Sequence, residues 1–227
     1  MNAKLNTGIY LFPDMTMLDA YGPLQFLAMV ESFNTFTFAK TATPLRSDCG
    51  AMLTPTHGFA DCPPLDIVVV PGGRDVLGQM EDAEVMAFLV QAAGRARCVS
   101  SVCTGALILA AAGLLDGYRA TTHWGWMKQL GAFPTIETVD ARVVIDRDRI
   151  TGGGVTAGID FALTLVAEMV APSEAQLLQL MFEYRPQPPF DSGSPHTAPA
   201  ALVAGVRERI ADTLAPLDAF IATHATH

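Results

Sequence analysis

The stretch Arg97–Leu115, RCVSSVCTGALILAAAGLL, decides the fold of this chain. It predicts an apolar strand over Cys98–Val102, an abrupt turn at Cys103–Gly105 and a helix of small residues over Ala106–Ala112. A strand that turns sharply into a helix is the geometry of a nucleophile elbow, which lifts one side chain out of the packed layers. The stretch therefore predicts an α/β protein with Cys103 in its functional site.

Two physical reasons favour a reactive Cys103 at this junction. The backbone N–H groups and the positive dipole end of the following helix favour a thiolate over a thiol. Gly105 has no Cβ and lets neighbouring backbone approach closely. The alternative is a small buried apolar residue, which is the commoner role of a free cysteine. The strand, turn and helix around Cys103 favour a nucleophile.

The composition predicts a globular protein with a large core. Of the 227 residues, 50% are hydrophobic and 16% are charged, so disorder is not expected. The net charge of −9 argues against nucleic acid or an anionic membrane as the main partner. No apolar run approaches the roughly 20 residues that span a bilayer, and Met1–Thr7 has no signal-peptide pattern. The four cysteines form no CxxC pair, which predicts reduced thiols in a cytoplasmic protein.

Strands alternate with helices along the chain, which predicts a mostly parallel central sheet with helices on both faces. We expect one domain over residues 1–227, in which 185–227 is a C-terminal extension with one helix. The predicted strands are 4–12, 36–42, 66–70 and 98–102, with hairpins at 48–56 and 143–151. The predicted helices are 17–33, 82–94, 106–112, 125–130, 155–170, 173–184 and 200–214, and a loose tail follows Pro216.

The aliphatic run Asp66–Val70 predicts a central parallel strand that is covered on both faces. It ends in Pro71, Gly72 and Gly73, at the sheet edge where open α/β sheets bind ligands. The exposed N–H groups of Gly72 and Gly73 could donate to a developing negative charge. An ordinary tight turn explains the glycine pair equally well.

Three further segments are candidates for the site. Asp19 lies near the start of the predicted helix 17–33, where a carboxylate is more often a favourable dipole contact than a catalytic group. His123 is either a catalytic base or a structural histidine beside Trp124. Gly152–Gly158, GGGVTAG, is not a dinucleotide fingerprint and predicts a closely packed helix start, for which the Cys103 site is a candidate neighbour. The histidine and cysteine spacing predicts no zinc site.

Together these segments make the chain resemble the ThiJ/PfpI superfamily, which implies a flavodoxin-like α/β fold. The landmarks occur in the family order and span residues 9–170. They are Ile9–Phe12 with Pro13, Leu18-Asp19 with Gly22-Pro23, Asp66–Gly73, Val102–Leu115, Thr121–Trp124 and Gly152–Ala162.

Within the superfamily, the residue after the cysteine separates the branches. Protease-like members carry Cys-His, whereas this chain has Cys103-Thr104, which argues against peptidase activity. Asp19, with Cys-Thr-Gly and the segment Gly152–Gly158, is similar to the isocyanide hydratases. These are homodimeric lyases that add water to an isocyanide and release an N-substituted formamide. The resemblance therefore implies an isocyanide substrate and a homodimer.

The resemblance also implies a role for each site residue. The Cys103 thiolate would attack the terminal carbon of the isocyanide, and Asp19, with a pKa raised by burial or by the thiolate, would act as general acid and base. Thr104 would bond Asp19 or water through its hydroxyl, and its N–H would join those of Gly72 and Gly73. By the same resemblance, Gly153 and Val155 lie against the cysteine helix and limit its displacement. No metal or organic cofactor is expected.

Two alternatives come from other classes of protein. A thiol-dependent stress protein, acting on glyoxals or sensing oxidation, would use the same Cys103. A non-enzymatic ligand-binding domain of the amidase-like type would keep the pocket and tolerate the loss of Cys103.

Overall fold

A computed structural model describes residues 3–225 of the chain. Residues 1, 2, 226 and 227, the ends of the predicted domain, lie outside the described residues. The strands are β1 Leu5–Tyr10, β2 Phe33–Ala39, β3 Leu45–Arg46, β4 Met52–Leu53, β5 His57–Gly58, β6 Ile67–Val70, β7 Cys98–Val102, β8 Arg119–Ala120, β9 Glu137–Thr138, β10 Val143–Asp146 and β11 Arg149–Gly152.

Seven of these strands form one sheet in the order β10-β11-β7-β6-β1-β2-β5. All neighbours are parallel except β10 and β11, which form the predicted antiparallel hairpin. All four residues of β6 are buried, and successive residues of a strand face opposite sides of the sheet. Both faces of the sheet are therefore covered, which confirms the predicted fold class.

The helices pack in two groups. Helix α6 contacts both α1 and α7, and α2, α3, α4, α5 and α8 form the second group. A short 3-10 helix, Trp124–Trp126, precedes α5. The helices are α1 Met17–Leu27, α2 Val76–Glu81, α3 Ala83–Ala93, α4 Gly105–Ala111, α5 Met127–Leu130, α6 Ala157–Met169, α7 Pro172–Met181 and α8 Ala200–His224.

The carboxyl ends of β6 and β7 meet because the two strands are parallel neighbours, with Val70 in register with Ser101. Helix α4 begins directly over the end of β6. A Cβ at Gly105 would collide with the carbonyl oxygen of Val70 and would lie 2.8 Å from that of Pro71. Only glycine permits this approach, which brings Cys103 next to the backbone that follows β6.

Helix α1 is shorter than the predicted helix 17–33. It ends at Leu27, and in its first turn Leu18 is 45% exposed, whereas Asp19 is fully buried. Pro23 lies inside the helix without ending it. The chain leaves the helix early because the segment from Phe33 onward pairs with β1 in the sheet.

The prediction of a loose tail after Pro216 was wrong. Helix α8 runs through Pro216 to His224 because Leu217 and Ile221 are buried in the core. The Gln129 side chain also donates a 2.9 Å hydrogen bond to Asp218. Tertiary packing here outweighs the helix-breaking tendency of proline.

No helix within residues 3–225 is long and apolar enough to cross a membrane.

The close approach at Gly105 is tested by a pair of glycine substitutions in helices. Gly105→Ala is expected to lower the free energy of unfolding by about 3 kcal/mol or more, because the neighbouring atoms are backbone and cannot yield. Gly205→Ala in α8, where nothing lies within 4 Å, is expected to raise it by roughly 1 kcal/mol. Urea unfolding measures both values, and equal effects of the two substitutions would contradict this packing.

Candidate active site

Cys103 occupies a strained elbow between β7 and α4. Its φ is +57°, a left-handed conformation that favours glycine and costs a non-glycine residue about 1–3 kcal/mol. Two hydrogen bonds hold the residue there. Its N–H donates to the carbonyl of Gly152 at 3.0 Å, and its carbonyl accepts from the Thr122 hydroxyl at 2.8 Å. The chain therefore turns sharply at Cys103, and β11 and the segment before α5 hold this turn in place.

The Cys103 side chain is buried beside Asp19, and its thiol is the stable form. Burial raises its pKa well above the ordinary value, and the negative charge of Asp19 adds to this effect. Hydrogen bonds from the amide and hydroxyl of Thr104 lower the pKa of Cys103, but by less than burial raises it. The donors at the helix start favour the thiolate, and loss of solvation has a larger effect in the opposite direction.

Asp19 is fully buried, and its two carboxyl oxygens have different surroundings. Oδ2 accepts a 3.0 Å hydrogen bond from the N–H of Gly72. Oδ1 has no hydrogen-bond partner among the described residues. Burial, the largest cause, raises the pKa of Asp19 from 3.8 to about 7. Asp19 therefore has the raised pKa required for general acid–base chemistry near neutral pH.

The amides of Gly72 and Gly73 do not form the expected site for a developing charge. The Gly72 amide is engaged by Asp19, and the Gly73 amide donates to Thr104 Oγ1 at 3.1 Å. A Cβ at Gly72 would lie 2.6 Å from the Thr104 nitrogen and 2.9 Å from Asp19 Oδ2. The two amides orient the Asp19 carboxyl group and the Thr104 hydroxyl, and these two groups in turn lie next to the Cys103 sulfur.

The Thr104 hydroxyl is directed by this arrangement. Because its oxygen accepts from Gly73, its hydrogen is free to donate to the sulfur of Cys103. Thr104 does not hydrogen-bond Asp19 directly, which was one of its expected contacts. Thr104 therefore acts on the sulfur through both its amide and its hydroxyl.

His123 lines the same cavity as Cys103 and is also structural. Its Nδ1 accepts a 3.1 Å hydrogen bond from the N–H of Gly125, which places the ring proton on Nε2. Burial lowers the pKa of His123, so the neutral ring is favoured. The ring also packs on Trp124 and Trp126. Its position in the cavity supports the role of a catalytic base, and its hydrogen bond and ring packing support a structural role.

Gly153 and Val155 are placed differently from each other. Val155 lines the cavity that contains Cys103. The atoms nearest to a Cβ at Gly153 are the carbonyl oxygens of Ala141, Arg142 and Thr122, none of which belongs to α4. A side chain at Gly153 would therefore point toward the turn before β10 and not toward α4, so this direction does not give the expected contact with the cysteine helix.

The cavity over Cys103 has a volume of about 510 Å³. Sequence reasoning missed the part of its wall that comes from α8, although the apolar residues Ile210, Leu217 and Ile221 continue a helical spacing past Pro216. A second cavity of about the same volume lies beside Tyr10 and contains no cysteine. The wall of the Cys103 cavity is formed by Thr16, Asp48, Gly73, Arg74, Val76, Leu77, Thr104, His123, Trp126, Val155, Arg209, Ile210, Thr213, Pro216 and Leu217.

Within residues 3–225, no group of three or more His, Cys, Asp or Glu side chains could hold a metal ion.

An α/β sheet with a buried cysteine on an elbow and a carboxyl group beside it defines a class of thiol-containing α/β proteins. The model of the DJ-1/PfpI family matches residues 8–168. This chain belongs to the DJ-1/PfpI family.

Three similar proteins extend the comparison. The isonitrile hydratase of Pseudomonas putida is 50% identical over 213 residues, which cover 92% of each chain. A crystal structure of a ThiJ/PfpI family protein from Pseudomonas syringae has a TM-score of 0.92 at 42% identity, and the match covers 96% of this chain and 91% of the other. Drosophila melanogaster DJ-1beta has the same fold, with a TM-score of 0.73 at 19% identity over 79% of this chain and 98% of its own.

The buried carboxyl group predicts a specific pH dependence of stability. Because folding raises the pKa of Asp19 from 3.8 to about 7, its stabilising contribution is complete below pH 3.8 and is lost as the pH rises through 7. We expect Asp19→Asn to gain up to about 4 kcal/mol over the wild type between pH 4 and pH 8. Urea unfolding at both pH values measures this difference, and parallel stability curves would contradict it.

Proposed function

We propose that this protein is an isocyanide hydratase, which converts R–N≡C and water to the formamide R–NH–CHO. The observation that carries the proposal is the buried pair of Cys103 and Asp19, in which Cys103 lines the cavity and the Asp19 carboxyl group lies within hydrogen-bond reach of its sulfur. The similarity to an isonitrile hydratase over nine-tenths of the chain supports it, since isonitrile and isocyanide are two names for one group.

The first step joins the sulfur to the terminal carbon of the isocyanide. The Asp19 carboxylate accepts the thiol proton as the C–S bond forms, so that a free thiolate is never stored in the buried site. The protonated Asp19 then delivers this proton to the same carbon. The product is the thioimidate R–N=CH–S–Cys103, which contains all the atoms of the thiol and the isocyanide.

The second step hydrolyses the thioimidate. Asp19, again ionised, accepts a proton from water as the oxygen attacks the carbon, and passes this proton to the nitrogen. The tetrahedral carbon then bears hydroxyl, sulfur and nitrogen. Its collapse forms the carbonyl, breaks the C–S bond and returns a proton to the sulfur. The formamide leaves, and the thiol and carboxylate are restored.

The environment of Asp19 suits both steps. A carboxyl group with a pKa of about 7 accepts and returns protons at neutral pH, whereas an exposed aspartate would be a weak base and would remain ionised. The Gly72 amide holds Oδ2, so the other oxygen is the one that exchanges the proton. Thr104 stabilises negative charge on the sulfur when the C–S bond forms or breaks.

We further propose that residues 1–227 act as one cytoplasmic domain. Cys49, Cys62, Cys98 and Cys103 are all free thiols in the structure, which suits a reducing compartment.

A homodimer is proposed from the resemblance and from one exposed apolar surface. Leu18 on α1 is 45% exposed, and Met52 on β4 is 64% exposed. The sulfur atoms of Met17 and Cys49 are 3.5 Å apart, which joins α1 to the hairpin that carries Met52. Light scattering is expected to give twice the chain mass for the wild type and a smaller mass for Leu18→Asp with Met52→Asp. A wild-type monomer would contradict the proposal.

The catalytic roles are tested by formamide production from phenyl isocyanide. Cys103→Ala is expected to abolish turnover, and Asp19→Asn to reduce kcat by about 100-fold or more, because the proton has no acceptor. The matched control is Cys98→Ala, which also removes a buried thiol of the same strand–turn segment but lies at the far end of β7. It is expected to keep kcat within about twofold of the wild type, because no atom of the site is changed.

The same assay separates the alternatives. Wild-type kcat/KM is expected to fall about tenfold per pH unit below pH 7, as Asp19 becomes protonated. A wild type that does not hydrate isocyanides but turns over glyoxals would favour the thiol-dependent stress protein. Ligand binding that survives in Cys103→Ala, with no turnover by the wild type, would favour a binding domain.

A further inference from the structure

We infer that α8 is the specificity element of this site, and that Ile210 and Leu217 select isocyanides with apolar R groups of ring size over small ones. The inference rests on the proposed function for the identity of the reacting group. It adds the residues that contact the other end of the substrate.

The two sides of the Cys103 cavity have different chemistry. Cys103 and Thr104 lie on the side formed by the sheet and α4. Ile210, Thr213, Pro216 and Leu217 of α8 line another side. When the isocyanide carbon is at the sulfur, its R group has to extend away from β7 into the rest of the cavity. That space is bounded by α8, Trp126 and Val155, which are mostly apolar.

The wall formed by α8 lies outside the part of the chain that defines the family. The family model ends at residue 168, whereas α8 begins at Ala200. The fold shared with Drosophila DJ-1beta covers only 79% of this chain, although it covers 98% of the other. Cys103 and Asp19 thus lie within the region matched by the family model, whereas the part of the cavity wall that α8 forms lies outside that region.

Three features hold α8 at the cavity. Gly125 has no side chain, and a Cβ there would lie 2.7 Å from Ile210 Cδ1, so α8 approaches the 3-10 helix directly. Gln129 donates a hydrogen bond to Asp218. Leu217 and Ile221 are 4% and 3% exposed, which anchors the second half of α8 in the core. The wall is therefore built into the fold and is available to discriminate between substrates.

The chemistry of this wall favours an apolar R group. Ile210, Pro216, Leu217, Val155 and Trp126 give up contact with water when an apolar ligand covers them, and burying this apolar surface favours binding. Arg74, Arg209 and Asp48 are the charged residues of the wall.

The test compares kcat/KM for phenyl isocyanide and methyl isocyanide, both measured with the full chain. Ile210→Ala and Leu217→Ala are each expected to lower the phenyl-to-methyl ratio about tenfold or more, mainly through a higher KM for phenyl isocyanide. Their effect on methyl isocyanide should be smaller than their effect on phenyl isocyanide, because the short methyl group makes less contact with this wall.

Ile221→Ala is the matched control, since Ile221 is as buried as Leu217 on the same helix but does not line the cavity. It should destabilise the fold and leave the ratio within about twofold of the wild type. Thr213→Trp adds bulk at an exposed position of the wall, so it tests the same space without removing core packing. It is expected to exclude phenyl isocyanide and to retain methyl isocyanide.

The outcomes separate the two proposals. A wild type that hydrates neither isocyanide would reject the proposed function and this inference with it. A wild type that is active, with an unchanged ratio in Ile210→Ala, Leu217→Ala and Thr213→Trp, would reject the inference and leave the proposed function standing. An equal change in Ile221→Ala would also reject it, because the effect would then come from loss of packing.

Discussion

The hydrogen bonds from the consecutive amides of Gly72 and Gly73 are the constraint on which the site depends. One amide holds the carboxyl group of Asp19 and the next holds the hydroxyl of Thr104, so three separate segments are brought to one point. A side chain at Gly72 would occupy the space of both partners, and one at Gly105 would push α4 off the end of β6. The absence of two Cβ atoms therefore sets the distance between acid and sulfur.

Burial then determines the protonation states in the site. Asp19 and Cys103 are both removed from water, and loss of solvation raises the pKa of each. As anions, the Asp19 carboxylate and the Cys103 thiolate would repel each other. Their raised pKa values lower the negative charge of the pair. This arrangement reduces the electrostatic cost of the pair and keeps a proton ready for transfer.

The chain combines a common catalytic region with an added wall. The elbow, the acid and the glycine pair lie within residues 8–168, the span of the family model. Helix α8 closes the cavity from a later part of the chain, and it is anchored by Leu217, Ile221 and the bond between Gln129 and Asp218. Changes in α8 can thus alter the shape of the cavity while the reacting groups keep their geometry, which suits a family with many substrates.

The amino-acid sequence alone determined the fold class and the strand–turn–helix pattern at Cys103, because aliphatic runs, glycines and turns are local signals. Asp19 was a candidate acid only through the resemblance to the ThiJ/PfpI superfamily, since a carboxylate near a helix start is commonly a favourable dipole contact. Only the tertiary structure decided that Asp19 and Cys103 are buried side by side, that the Gly72 and Gly73 amides face inward to Asp19 and Thr104, and that α8 continues past Pro216. The physical reason is that solvation, amide direction and the docking of Leu217 depend on neighbours that are far apart in the sequence.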